Sequence, residues 1–205
     1  SLYIAKKIKE QDKKRIIIFG GPDCCRQLRA NFIIKKDYVD AIAIGEGEIT
    51  FLNLLKIISQ KNELDYCKGF IIKQNGNVFD CGDGEIIEDI NKLPFPDYSD
   101  FKDDIFYGLY REPYRLEIFD SRSCVMRCHF CSEWQYWKKF RSMSGERMFG
   151  EIRFQIKNYP TVNYFYFIGS LLNGDIKALE KFCDLVIENK LEIRWAGQAI
   201  IRKEM

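Results

Sequence analysis

No apolar run in this chain approaches the roughly 18–20 residues that a membrane span requires, so no transmembrane segment is expected. No short period persists along the sequence, which excludes collagen, coiled-coil and low-complexity classes. An excess of one charge sign is missing too. The 32 basic and 30 acidic residues leave a formal net charge of +2, which gives no electrostatic case for nucleic acid or an anionic membrane as partner. The early lysines (Lys6, Lys7, Lys9, Lys13, Lys14) read as a solvated helix face and loop. No segment at the start reads as a signal peptide, so the eight cysteines are not expected to form a secreted disulfide framework. A cytoplasmic, reducing setting is expected instead, where grouped cysteines serve metals or redox chemistry.

What the chain does contain is enough apolar mass for a core. Of its 205 residues, 46% are hydrophobic, with 16 Phe, 11 Tyr and 3 Trp, which excludes a disordered chain and fits about one to two domains. The sequence opens inside a helical pattern (Leu2, Ile4, Ala5, Ile8) without an initiator Met, and it stops directly after an apolar run. It reads as a fragment of a longer protein.

Residues 15–19 form a short, β-branched, unalternating run broken by Gly20-Gly21-Pro22, as a buried parallel strand would. Residues 24–31 read as a helix or turn. Residues 40–44 repeat the strand pattern. Gly45-Glu46-Gly47-Glu48 follows, then a helix marked by Phe51, Leu52, Leu54, Leu55 and Ile58. Two strand–glycine–helix units in succession indicate an open α/β sheet. Residues 69–73 and 78–80, split by Asn75-Gly76-Asn77, read as a β-hairpin. The extended segment Leu93-Pro94-Phe95-Pro96-Asp97 reads as part of a linker. From residue 114 the alternation resumes: strands at 114–120, 164–168 and 191–196, a helix capped by Ser144 running to Lys157, and one capped by Asp175 running to Asn189. Repeats of this kind indicate a parallel sheet or barrel, and three strands are too few to close one.

The segment that carries chemistry is Ser121-Arg-Ser-Cys124-Val-Met-Arg-Cys128-His-Phe-Cys131. A tight CxxxCxxC loop after a strand can aim three thiolates at one point. Three thiolates on a four-iron cluster leave one iron without a protein ligand, open to a small chelating molecule. Zinc is the competing occupant, with His129 as fourth ligand. His129 sits between Cys128 and Cys131, however, and neighbouring positions on a short loop rarely converge on one tetrahedron. A redox dithiol and ordinary buried cysteines are the remaining alternatives. Trp134, Tyr136, Trp137 and Phe140 after the loop read either as the wall of a dry site or as core behind it. Cys183 reads as a core residue on a helix face, and Cys24 and Cys25 as loop thiols.

This segment resembles the signature of the radical S-adenosylmethionine (SAM) superfamily, with Phe130 as the aromatic before the last cysteine. The resemblance implies that Cys124, Cys128 and Cys131 hold a [4Fe–4S] cluster whose open iron is chelated by SAM. It further implies that reductive cleavage of SAM gives a 5′-deoxyadenosyl radical that abstracts hydrogen from substrate. It places SAM contacts at Gly169 and Ser170, where the superfamily carries a Gly-Gly-Glu-like segment; only Gly169 matches, and no acid is present there.

The front half resembles the end of a cobalamin (B12)-binding domain, on Gly20-Gly21-Pro22 and on Asp40 to Glu48. Glycines after a strand let a flat ligand or nucleotide tail approach the carboxyl edge of a sheet, which makes Gly20, Gly21, Gly45 and Glu46 the candidate contacts. Glu46 and Glu48 argue against a phosphate at that helix start. The cobalt-ligating Asp-x-His-x-x-Gly motif of such domains would lie before residue 1, since no histidine precedes His129; the motif in preceding sequence, cobalamin held without that ligand, and no cobalamin are the three readings left open.

Together these resemblances imply an α/β fold. Residues 1–62 would be the C-terminal part of a doubly wound (Rossmann-like) B12-binding domain, 63–113 a linker with the hairpin, and 114–205 the first βα units of a partial radical SAM TIM-type barrel. The expected activity is radical SAM catalysis, with cobalamin-dependent methyl transfer or rearrangement as its outcome. It would act on a small-molecule or peptide substrate, with an electron donor such as flavodoxin or ferredoxin. A non-catalytic Fe–S or zinc binding and electron-transfer module is the alternative. No side chain is singled out as catalytic beyond these ligands.

Overall fold

The computed structural model describes residues 1–101 and 115–205, except 27, 62, 63, 202, 204 and 205. Part of the expected linker, and Tyr114 at the head of an expected strand, lie outside them. The chain divides into two compact units, Ser1–Ile87 and Glu88–Met205. Among the described residues no helix is long and apolar enough to cross a membrane.

In the first unit four strands make one sheet: β1 (Ile18–Phe19), β2 (Ala41–Ala43), β3 (Phe70–Gln74) and β4 (Asn77–Asp80), in that spatial order. β1 and β2 are parallel; β3 is antiparallel to both its neighbours. The two-residue side-chain period splits the core into two layers. Ile42, Ile44 and Ile71 pack with Ile33 and Ile34 of helix α2 (Ala30–Ile34), while Ala41, Phe70 and Ile72 pack with Leu54 of helix α3 (Gly47–Lys61). Helix α1 (Leu2–Gln11) is tied to the start of β2 by Lys9, whose Nζ reaches Asp40 Oδ2 at 2.7 Å. The hairpin turns through Asn75 (φ +50°) and Gly76 (φ +78°), the backbone that an Asn-Gly pair favours between twisted strands.

This hairpin is not a linker element. β3 pairs with β2 in the register Ala41↔Ile72, Ile42↔Ile71, Ala43↔Phe70, so residues 70–80 complete the first sheet, and the compact units divide at Ile87/Glu88. Cys24 and Cys25 lie in the turn after β1, as expected, but are buried, and Cys24 joins the α2 layer. Cys67 and Cys81 lie in the α3 layer. Burial raises the Cys24 and Cys67 thiols above their ordinary pKa.

In the second unit β5 (Arg115–Ile118), β8 (Tyr164–Phe167) and β9 (Arg194–Gly197) form a parallel sheet in the order β5-β8-β9. Helices α5 (Gly145–Asn158) and α6 (Ile176–Glu188) connect them. Both start where their caps predict: Ser144 Oγ accepts from the Arg147 amide at 3.1 Å, and Asp175 Oδ1 from the Ala178 amide at 3.1 Å. The helices approach closely at Gly145, where a Cβ would stand 2.5 Å from the Phe182 amide nitrogen. Phe167, Phe182 and Trp195 meet edge to face at 5.3–5.8 Å. Cys183, beside Phe182, is half-buried.

The last strand begins later than the apolar run suggests. Lys190 takes φ +50° and donates to Ile187 O, while the Leu191 amide donates to Val186 O. Leu191 thus closes the C-terminus of α6 and is spent there rather than in β9. Ahead of the sheet, the Asn91–Pro96 segment lies along α5. Arg147 donates to the carbonyls of Asn91 (3.2 Å) and Leu93 (3.1 Å), and Gln155 Nε2 donates to Pro96 O (2.8 Å).

Candidate functional site

The cysteine loop leaves the carboxyl end of β5 and returns before α5. Its two ends are clasped by a short antiparallel ribbon, β6 (Ser121–Arg122) against β7 (Arg141–Ser142), in the register Ser121↔Ser142 and Arg122↔Arg141. The Met143 amide adds a 2.8 Å bond to Asp120 O. Buried Ser123 takes φ +70°, a left-handed conformation uncommon for a non-glycine residue, and turns the chain out of the ribbon into Cys124.

Beyond that turn the side chains face outward. Val125 and Met126 are exposed, and Phe130 is 93% exposed; His129 is exposed as well. Cys124, Cys128 and Cys131 are half-buried free thiols. The Met126 amide lies 3.4 Å from Cys124 Sγ as a donor, and the Cys131 amide donates to Cys128 O at 3.1 Å, making the CxxC half a single turn. Helix α4 (Glu133–Trp137) follows, and Trp134 Nε1 reaches back to Cys128 O at 3.4 Å.

The three thiols share one loop but not one point. Among the described residues, no three His, Cys, Asp or Glu side chains are placed to hold a single metal ion, contrary to the convergence that the spacing alone suggests. A cubane asks for something different, since each thiolate binds its own iron and the three stand wider apart than ligands of one ion. The donor set of three accessible thiols, with a backbone amide directed at one sulfur, fits such a cluster chemically.

The aromatic residues behind the loop are half-buried and packed rather than lining an open wall. Arg122 stacks over the rings of Trp137 (5.0 Å) and Phe119 (5.6 Å), and Tyr136 meets Trp137 edge on at 4.7 Å. Phe140 abuts Gly174, where a Cβ would stand 2.8 Å from the ring.

Gly169 and Ser170 stand just past β8, at the carboxyl edge of the sheet beside the end of β5. The buried Gly169 amide donates to Asp120 Oδ1 at 2.8 Å, and Ser121 Oγ donates to Asp120 Oδ2 at 2.9 Å. A Cβ on Gly169 would stand 2.4 Å from Ser121 Oγ and 2.5 Å from both Asp120 oxygens, so only glycine fits. Burial pushes the Asp120 carboxyl above the usual carboxylate range, partly opposed by its two hydrogen bonds. Ser170 Oγ donates to Glu133 Oε2 at 2.6 Å, and Trp137 Nε1 donates to the same oxygen at 3.2 Å. Two acids therefore flank a segment that carries none in sequence. Neither is visible from local pattern, because Asp120 and Glu133 lie 49 and 37 positions from their partners.

In the first unit, Gly20-Gly21 follows β1 and Gly45-Glu46 follows β2, so the parallel pairing brings the four residues to one sheet edge. Gly20 is exposed, and Gly21 (φ +92°) and Gly45 (φ +81°) are half-buried in left-handed turns. Glu46 is buried, and its Oε2 accepts the Ile87 amide at 3.2 Å; this is an internal tie.

No protein-family model matches the sequence. An uncharacterised methyltransferase from Pyrococcus horikoshii is 29% identical over 151 residues, covering 73% of this chain and 32% of that protein. An anaerobic magnesium-protoporphyrin IX monomethyl ester cyclase from Rubrivivax gelatinosus is 25% identical over 170 residues, covering 77% of this chain and 29% of its own. The chain thus spans about a third of the length of the curated relatives it matches. In structure, the cobalamin-dependent S-adenosylmethionine radical enzyme OxsB superposes over 99% of this chain and 29% of its own, with a TM-score of 0.70 and 19% sequence identity. In line with the resemblance carried by the cysteine loop, the chain is similar in sequence to a methyltransferase and a monomethyl ester cyclase and shares the fold of a cobalamin-dependent S-adenosylmethionine radical enzyme.

Proposed function

We propose that this chain is part of a radical SAM enzyme in which Cys124, Cys128 and Cys131 hold a [4Fe–4S] cluster and SAM binds beside it at the Gly169–Ser170 edge. When bound, the cluster supplies a low-potential electron and SAM the carbon–sulfur bond that the electron breaks. The chain's own residues bind and orient. The β6–β7 ribbon fixes the two ends of the loop, Ser123 aims it, and Trp134 ties its CxxC turn to α4. Asp120 holds the Gly169 amide, which keeps the end of β8 against the end of β5. Exposed Val125, Met126 and Phe130 give the loop an apolar outer surface, the material from which a water-poor site is closed.

The observation that carries this reading is the placement of a three-cysteine loop at the carboxyl edge of a parallel sheet, where open α/β folds bind their ligands. On this reading the second unit is the opening part of a radical SAM barrel and the first the end of a B12-type domain. Cobalamin would lie against the edge formed by Gly20, Gly21 and Gly45, with Glu46 serving that edge from within. Methyl transfer is the outcome favoured by the methyltransferase relative. The reading places the protein in a reducing cytoplasm, with a flavodoxin- or ferredoxin-type electron donor and a small-molecule or peptide substrate.

The test is anaerobic incubation of the reduced holoprotein with SAM. Formation of 5′-deoxyadenosine, abolished by Cys128→Ala, supports the reading. A protein with a full cluster that leaves SAM intact under low-potential reduction would instead be an electron-transfer module.

A further inference from the structure

We infer that the buried face of α5 holds one ordered water molecule, which bridges Glu151 Oε1 and Gln155 Oε1 beside the Asn91–Pro96 segment.

Glu151 and Gln155 are 1% and 0% exposed. They stand one helical turn apart, the spacing at which side chains on a helix are neighbours. Each engages half of its polar end. Glu151 Oε2 accepts from Arg147 Nη1 at 2.6 Å, and Gln155 Nε2 donates to Pro96 O at 2.8 Å. The remaining oxygen of each side chain, Oε1 in both cases, is buried and accepts no hydrogen bond. A stranded buried acceptor is unfavourable, and two on adjacent turns point to a shared donor.

Rearrangement within the protein does not supply that donor. Turning the Gln155 amide over would set its oxygen against the Pro96 carbonyl and lose the bond between them. Arg147 is committed to Glu151 Oε2 and to the carbonyls of Asn91 and Leu93, at 3.2 and 3.1 Å, with its guanidinium stacked on Phe95. The nearby Tyr98 hydroxyl donates elsewhere, to Glu117 O at 3.3 Å.

The occupant must therefore be small, carry two donors and be neutral. Arg147 already balances the Glu151 charge, so a cation at this place leaves surplus positive charge in the interior. A proton on Glu151 Oε1, donated straight to Gln155, leaves the same surplus on Arg147. Water meets all three conditions, and buried waters bridge polar groups that otherwise lack partners. Its two bonds complete the polar layer through which α5 fastens the segment at Asn91, Leu93 and Pro96.

The test is a crystal structure of the protein at neutral pH, at a resolution that orders internal water. One peak is expected about 2.5–3.0 Å from both oxygens. Glu151→Gln keeps an acceptor for Arg147 and turns an amide donor towards Gln155 Oε1, so the peak is expected to be lost in that variant. Rubidium-soaked crystals separate water from a monovalent cation through anomalous scattering at the peak. A wild-type protein with no peak overturns the inference, as does a peak that takes up rubidium or one unmoved in Glu151→Gln. A direct Oε1–Oε1 contact of about 2.5–2.7 Å, the mark of a shared proton, overturns it too. If Glu151→Gln does not fold, the wild-type peak and its rubidium control decide by themselves.

Discussion

The Gly169 amide and the Asp120 carboxylate meet at 2.8 Å, across the ends of two parallel strands. This contact joins the segment expected to touch SAM to the residue from which the cysteine loop departs. It leaves no room for a side chain, because a Cβ at 169 would overlap Ser121 Oγ and both Asp120 oxygens. Gly169→Ala is expected to cost about 1–3 kcal/mol of stability through forced displacement of these groups. The midpoint of urea unfolding measures it; a midpoint equal to wild type would show that the contact is loose.

Asp120 also sets a pH dependence. Its folded-state carboxyl titrates above its unfolded value because burial penalises the charge. The folded state therefore binds the proton more tightly. The stability tied to this group is fully present below the unfolded pKa of about 3.9 and is lost as pH rises through the folded value. In Asp120→Asn the amide oxygen can still accept from Gly169, and its NH₂ can donate to Ser121. The variant is expected to gain stability relative to wild type as pH rises from about 4 to 7. Denaturation curves at both ends of that range check it, and a constant difference contradicts it.

A third expectation concerns the Asn91–Pro96 segment on α5. Arg147 and Glu151 form a buried pair at 2.6 Å, with side chains 9% and 2% exposed. Arg147 also stacks on Phe95 at 4.0 Å and serves the Asn91 and Leu93 carbonyls. Burial raises the Glu151 carboxyl, and Arg147 opposes that rise. Arg147→Met would strand Glu151 in the interior and is expected to cost about 3–5 kcal/mol at neutral pH. The cost should shrink between neutral pH and about pH 4, because burial lets the stranded carboxyl take up a proton above the unfolded-state value of about 4.3. Unfolding midpoints of the two proteins at both pH values measure this.

Local chemistry was readable where one residue decides the outcome. Ser144 and Asp175 cap the helices they were expected to cap, and Asn75-Gly76 makes the turn it was expected to make. The cysteine loop follows β5 as the pattern indicates, but the convergence of Cys124, Cys128 and Cys131 on one point that the spacing suggests is not seen among the described residues. Contacts that need the chain to fold back were not. The two-residue strands β6 and β7 are too short to show a period, although they clasp the loop. The pairing of β3 with β2 joins residues about 30 positions apart, so the hairpin looked like linker. The tie of Ser170 to Glu133 spans 37 positions, which is why the edge looked devoid of acid. Leu191 looked like strand because apolar content does not distinguish a helix cap from the residues after it.

On the proposed reading, three cysteines on one loop hold an iron–sulfur cube with one corner left for a ligand. Iron, sulfide and zinc analysis of anaerobically prepared protein tests it most directly, alongside the Cys124→Ala, Cys128→Ala and Cys131→Ala variants. About four irons and four sulfides per chain are expected. So is an EPR signal of the reduced cluster that shifts when SAM is added, with the iron lost in each variant. One zinc without sulfide, or iron retained after loss of any of the three thiols, would contradict it.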